Sequence, residues 1–252
     1  MTRVSHLFRW GIICIALFLC VQLLHLAVNA QSPHPTQTPD PVPTPTPSNN
    51  FAKEILRDQK VIWTSPFRIK RKDLKPLLPL AAITVSLIAT DRHLSSWVKN
   101  DGSLPAASRN TSRLVWGAYG VPVGLFLIGK ASGNKYAAKT GRLAFQALVN
   151  TEIVTFALKE SFRRERPERN SGKGRFFRNG NSFPSGHSSS AFAVATVISY
   201  RYKNNPWIKY GSFALATVVA LSRFSGRKHF ASDILIGSAI GYGIGRFVYK
   251  EH

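Results

Sequence analysis

The 252-residue sequence predicts an all-α protein, a six-helix bundle reached through an N-terminal leader and a proline-rich stretch. Three observations carry that expectation. From residue 76 onward, apolar blocks alternate with charged or glycine-containing connectors, at roughly 76–90, 114–129, 143–158, 186–200, 208–222 and 232–248. No block sustains the period-2 alternation of a half-buried strand. Composition also shifts abruptly ahead of the blocks, where residues 31–50 hold seven of the fifteen prolines.

Residues 1–30 read as a signal peptide. Arg3 and Arg9 form a positive n-region, Gly11 to Val28 is apolar apart from Gln22 and His25, and Val28-Asn29-Ala30 suits a small-residue cleavage site. The apolar stretch is long for an h-region, so a retained membrane anchor is the alternative. Both cysteines, Cys14 and Cys20, lie in this segment, so a cleaved chain would hold no thiol, disulfide or cysteine-bound metal. Residues 31–50 form a Pro/Thr-rich linker, a composition that favours extended, semi-rigid chain over a packed core.

Residues 51–75 form a basic lead-in. Phe51, Ile55 and Leu56 recur near helical spacing, which predicts a short amphipathic helix ahead of Arg68, Lys70, Arg71, Lys72 and Lys75. Residues 76–252 then supply the six-helix domain. Its apolar runs look short for a bilayer span of about 20 residues. Lys75 and Asp91 bracket the first run, Arg113 and Lys130 the second, and the third carries Gln146, Asn150 and Glu152. The sixth contains Gly237, Gly241, Gly243 and Gly245, which suits close helix packing. Three spans after an exporting leader would also return residues 159–184 to the cytoplasm. The expectation is therefore an exported bundle, periplasmic or lying on a membrane, rather than one that crosses it.

Charge narrows the partners. Lys and Arg outnumber Asp and Glu by 34 to 12, a net +22, which attracts anionic lipid surfaces or phosphorylated ligands. Nucleic acid is disfavoured, because the cations punctuate apolar segments rather than forming a run interleaved with aromatics.

Three fragments carry chemistry. Lys159-x6-Arg166-Pro167 puts two cations two helical turns apart, on one face if the helix continues to Pro167. Pro184-Ser185-Gly186-His187 opens an apolar helix, whose N–H groups and dipole favour an anion near Ser185 and Gly186 and beside His187. Ser222-Arg223-x5-His229-x3-Asp233 adds a cation and a His–carboxylate pair at the i, i+4 spacing of one helical face. A carboxylate on one imidazole nitrogen leaves the other basic. Taken singly, each fragment also suits a plain charged helix end, a helix cap or a structural His–Asp pair.

Taken together, K-x6-R-P, P-S-G-H and S-R-x5-H-x3-D resemble the three-part signature of the type 2 phosphatidic acid phosphatases (PAP2). That family shares its fold with class A acid phosphatases and vanadium haloperoxidases. The motifs cover 159–233, and the helical blocks extend the likeness over 76–248. The resemblance implies a metal-independent phosphatase acting on a phosphorylated lipid or a small phosphate ester, with no cofactor. His229 would be the nucleophile, Asp233 its orienting carboxylate and His187 the general acid. Lys159, Arg166, Ser185, Gly186 and Arg223 would hold the phosphate. The alternatives are a haloperoxidase holding vanadate in the same place and a non-catalytic module that binds anions or membranes.

Overall fold

The computed structural model describes residues 50–100, 115–169 and 172–252. The leader and nearly all of the linker lie outside the described residues. Among those described there are seven α-helices, one more than expected: α1 Phe51–Thr64, α2 Leu74–Asn100, α3 Val115–Ala131, α4 Lys135–Phe162, α5 Gly186–Arg201, α6 Pro206–Ser225 and α7 Ala231–Glu251. Six of them answer the six apolar blocks. The seventh is α1, the helical part of the lead-in, joined to α2 by two 3₁₀ turns at Ser65–Arg68 and Arg71–Asp73.

Local chemistry sets the helix starts. Asn50, Asn134 and Asn205 cap α1, α4 and α6, their side-chain oxygens accepting from the N–H groups of Lys53, Ala137 and Ile208. Pro206 follows its cap at the first helical position, where its missing N–H costs nothing.

Helices α2, α4 and α6 run toward one end of the bundle, and α3, α5 and α7 run away from it. Leu125, Leu143, Ala147, Val194, Val197, Ile244 and Val248 fill the core between them. The tightest packing is between α5 and α7. Gly237, Gly241 and Gly245 recur every four residues on α7 and face the backbone carbonyls of Ser185, Ser189 and Ala193, which recur every four on α5. A Cβ at Gly237 would stand 2.5 Å from the Ser185 carbonyl oxygen, so only glycine permits this approach. The glycines expected to serve close packing do so here, with the exception of Gly243, which faces open space.

Helix α1 seats on α4 through polar groups. Glu54 pairs with Arg142 at 2.6 Å, and the buried Asp58 accepts from Gln146 (2.8 Å) and Asn150 (2.9 Å). Ile55 is buried and Phe51 stacks on Phe145, but Leu56 is exposed. Of the three apolar residues whose spacing predicted the helix, Phe51 and Ile55 dock and Leu56 does not.

The first apolar run differs most from expectation. Leu74–Val98 forms a stretch long and apolar enough to cross a membrane, and little of it is buried within the bundle. Asp91, which seemed to end the run, is turned inward and buried, where Arg164 pairs with it at 2.8 Å. An inward, paired carboxylate does not interrupt the outward apolar face. Large apolar side chains are exposed on several helices, Leu78 and Val85 on α2, Leu127 on α3, Phe156 on α4 and Leu221 on α6 all by more than half. Exposure of this kind suits contact with a membrane or a partner better than with water.

Candidate active site

The three sequence fragments converge where α4 and α6 end and α5 and α7 begin. Helix α4 stops at Phe162, four residues short of the expected limit near Pro167. Arg163, in the left-handed region at φ 41°, terminates it and donates its N–H to the Lys159 carbonyl at 2.9 Å. Arg166 therefore lies in the following loop and shares no helical face with Lys159. Asn181 brings the two together instead. Its carbonyl accepts from the Lys159 ammonium at 2.7 Å, and its side-chain oxygen accepts from Arg166 Nε at 2.7 Å.

Helix α5 begins at Gly186, as the Pro-Ser-Gly-His motif predicts, just after a cis Phe183–Pro184 peptide. Ser185 occupies the N-cap position without capping through its side chain; its hydroxyl instead accepts from Ser188 at 2.9 Å. The first N–H groups of a helix have no intrahelical acceptor, so this end presents donors to an anion. The Ser185 N–H donates to the Asp233 carbonyl at 3.0 Å, locking the start of α5 to the start of α7. The Lys159 stem passes beside Gly186, whose missing Cβ would lie 3.6 Å from Lys159 Cε.

His229 precedes α7 rather than lying on it, while Asp233 sits in the first turn. The expectation that both occupy one helical face is thus corrected. The Arg223 carbonyl, at the end of α6, accepts from the Lys228 and His229 N–H groups and shapes the connection. The expected direct bond between His229 and Asp233 is also absent, since their nearest atoms are 3.8 Å apart. His229 Nδ1 lies 2.7 Å from the Ser182 carbonyl oxygen. A carbonyl can only accept, so Nδ1 carries the proton and Nε2 keeps its lone pair. Asp233 acts one step back. Its carboxylate accepts from the Ser182 hydroxyl (2.5 Å), the Phe230 N–H (2.9 Å) and Arg164 (2.6 Å), which fixes the segment that fixes the imidazole.

Charge and burial shape the titration of the site. Burial, then the neighbouring charges of Arg223, His229, Lys159 and Arg166, push His187 down to about 3. Burial also lowers His229 to about 4, although the Asp233 carboxylate pulls the other way. Burial and the Arg166 charge bring Lys159 down to about 8. Burial works against the Asp233 anion, yet the His229 imidazole beside it and the Arg164 charge hold its carboxyl below the usual carboxylate range. With no anion present, both histidines are therefore neutral at pH 7, in a pocket rich in fixed cations. Among the described residues, no group of three or more His, Cys, Asp or Glu side chains gathers to hold a metal ion.

Four participants escaped the sequence reading. Arg164, Asp91 and Ser232 form a buried cluster under Asp233, and Ser182 supplies both a hydroxyl and a carbonyl. Arg164 looked like one more charge in a charged run. Asp91 did offer a signal, because an acid inside an apolar helix needs a partner.

Residues 141–252 match the family model of the PAP2 superfamily. It is 28% identical over 185 residues to a lipid A 1-phosphatase of Porphyromonas gingivalis, covering 71% of this chain and 38% of that protein. It is 35% identical over 154 residues to a PA-phosphatase related-family protein of Dictyostelium discoideum, covering 52% of this chain and 56% of that protein. The matches thus span about 38% and 56% of these relatives' lengths. Two solved structures share the fold. One is Aquifex aeolicus LpxE (TM-score 0.50, 20% identity, 63% of this chain and 93% of that one). The other is a transmembrane PAP2-type phosphatidylglycerolphosphate phosphatase from Bacillus subtilis (TM-score 0.51, 22% identity, 68% and 92%).

Proposed function

We propose that this protein is a metal-independent phosphatase that removes phosphate from a membrane lipid through a phosphohistidine on His229. The observation that carries the reading is the His229 tautomer, with Nδ1–H held by the Ser182 carbonyl and the Nε2 lone pair left for attack. Lys159, Arg166, Arg223 and the first N–H groups of α5 from Gly186 onward would grip the non-bridging oxygens, stabilising charge as it develops. Ser185, whose N–H is already taken by the Asp233 carbonyl, would hold that turn in place rather than bind phosphate as the sequence suggested. The dianion would raise the His187 pKa by neutralising the cations that depress it. His187 would then protonate the leaving alkoxide as the phosphorus–oxygen bond breaks and His229 Nε2 bonds to phosphorus. Neutral His187 would next take a proton from water, whose oxygen displaces Nε2 and releases inorganic phosphate.

A lipid alcohol is the favoured leaving group. The exposed apolar faces of α2, α4 and α6 reach the end of the bundle that holds the site, and the named relatives include a lipid A phosphatase. In this reading residues 76–252 are the phosphatase domain, 1–30 the signal peptide and 31–50 its spacer. Protein purified in detergent is expected to release phosphate from phosphatidic acid in excess EDTA. Acid-labile, alkali-stable phosphoenzyme should appear on rapid quenching, and His229→Ala should show neither activity nor phosphoenzyme. Activity lost on chelation, or retained by His229→Ala, would refute the mechanism.

The site is placed outside the cytoplasm on the strength of the leader. Helix α2 runs from the α1 end of the bundle to the site end, so a leader that exports α1 puts the site outside only if α2 lies along the membrane, whereas a crossing α2 would put α1 and the site on opposite faces. Single cysteines at Leu56 and Asn179, in a Cys14→Ser/Cys20→Ser background, can be labelled with an impermeant maleimide on intact cells. Asn179→Cys is expected to react, and its protection would overturn the placement. Leu56→Cys is expected to react as well, and its reaction with Asn179→Cys protected would show that α2 crosses.

A further inference from the structure

The least expected feature of the molecule is a fully buried arginine shared by two carboxylates from different helices. Arg164, 2% exposed, donates through NH2 to Asp91 of α2 at 2.8 Å and through NH1 to Asp233 of α7 at 2.6 Å. NH1 also reaches the Ser232 hydroxyl at 2.7 Å, and Nε donates to the Gly174 carbonyl at 3.0 Å. The Phe176 and Phe230 rings lie 4.7 and 4.4 Å from the guanidinium carbon. Asp91 accepts in addition from the Ser232 N–H at 3.2 Å and from the Ser232 hydroxyl.

We propose that Asp91 and Arg164 are positioning residues of the phosphatase reaction, bridging α2 to Asp233 and setting the charge beneath the His229 imidazole. The inference rests on the phosphohistidine reading given above. Two carboxylates share one guanidinium, so the cluster carries one surplus negative charge. That surplus lies on the protonated-nitrogen side of His229, through Asp233 and Ser182. When Nε2 bonds to phosphorus the ring becomes cationic, and the surplus stabilises it.

Two arguments favour this role over simple packing. Buried ion pairs stabilise a fold little more than apolar side chains of the same shape, so fold stability alone gives weak reason for the cluster. The guanidinium also makes four hydrogen bonds through all three of its nitrogens, and its planar fork fixes Asp91, Ser232 and Asp233 relative to one another as an ammonium would not. Other charged or titratable groups near His229 come from every surrounding element. They are Lys159 on α4, Arg166 in the α4–α5 loop, His187 on α5, Arg223 on α6 and Asp233 on α7. Against that excess of cations, the cluster supplies the anionic side of the site.

The test compares pH profiles of kcat/KM for an aryl phosphate, whose own titration is common to all variants. Asp91→Asn removes one negative charge while keeping the shape. It is expected to lower kcat about tenfold, as loss of an outer partner typically does, with KM little changed. The acid limb should move to lower pH by roughly half a unit or more. Arg164→Gln should move that limb to higher pH, and Asp91→Asn/Arg164→Gln, which restores the surplus charge, should return it toward the parent value. Ser232→Ala alters packing without altering charge, so it should reduce thermal stability and leave the limb in place. Acid limbs unmoved in both single variants would overturn the proposal, as would failure of both to fold, which would make the cluster a folding element only. If His229→Ala stayed active, the phosphohistidine reading itself would fall. An inactive His229→Ala with unmoved limbs removes only the inference.

Discussion

Replacing Gly237 by alanine tests how the start of α5 is held against the start of α7. The new Cβ would stand 2.5 Å from the Ser185 carbonyl oxygen and 3.2 Å from its nitrogen. Carbon and oxygen rest comfortably no closer than about 3.5 Å, so one backbone has to retreat by about 1 Å. No flexible side chain can absorb the shift, since the opposing atoms are main chain. The Ser185 N–H to Asp233 carbonyl bond, now 3.0 Å, would stretch out of range. His187 and the anion-binding turn would then move relative to His229. Misplacement of that size costs on the order of a hundredfold in rate, and the overpacking costs about 1–3 kcal/mol in stability. Gly243 is the internal control, because nothing lies within 4 Å of its would-be Cβ. Gly243→Ala should leave turnover unchanged and stabilise α7 by up to about 1 kcal/mol. Phosphate release and thermal inactivation, measured on both variants, decide the matter. Gly237→Ala within twofold of the parent kcat would refute the claim that this contact sets the site.

Three further outcomes follow from the charges. Lys159, lowered to about 8, should lose its proton across the mildly alkaline range, so kcat/KM is expected to fall near pH 8. Lys159→Arg should carry that limb upward, because a guanidinium stays charged. His187 and His229 are depressed to about 3 and about 4 in the folded protein. Their contribution to stability is complete above the unfolded value of about 6.5 and is lost as pH falls toward 4. Melting temperature should therefore drop over that window, less so in His187→Gln. Inorganic phosphate should flatten the drop by favouring the protonated imidazoles. Finally, Ser182→Ala leaves Asp233 without its hydroxyl donor. It should cost about 1.5–3 kcal/mol of stability and slow phosphoenzyme formation in rapid-quench assays without changing KM.

Much of this was legible in the chain. The six apolar blocks became six helices because runs of about fifteen mainly apolar residues without period-2 alternation are too long for ordinary strands. The Pro-Ser-Gly-His start of α5 was readable for the same local reason, a helix start written in four residues. Less legible was anything decided by tertiary contact. Nothing within 159–167 shows that Arg163 turns left-handed and ends α4 before Pro167. The i, i+4 spacing of His229 and Asp233 matched a helical face, yet the α7 boundary falls between them, so a carbonyl some fifty residues away takes the role expected of the carboxylate. Asp91 was taken for a boundary because charge was judged along the chain rather than around the helix.

Lys159, Arg166 and Arg223 converge with two imidazoles, and keeping both histidines neutral relieves the repulsion among them only partly. Such a cluster would tend to spread unless the backbone beneath it were rigid. The glycine seam supplies that rigidity, because α5 and α7 meet main chain to main chain and leave no side chain to yield. The buried Asp91–Arg164–Asp233 cluster supplies the counter-charge on the far side of His229. Binding of a phosphate dianion should then relieve strain that already exists in the free protein, rather than order a loose site. That expectation predicts strong stabilisation by phosphate in the parent protein. It predicts a smaller effect in Gly237→Ala, where a spread pocket has less repulsion to relieve, and equal stabilisation of the two in thermal melts would show that the seam does not hold the cations together.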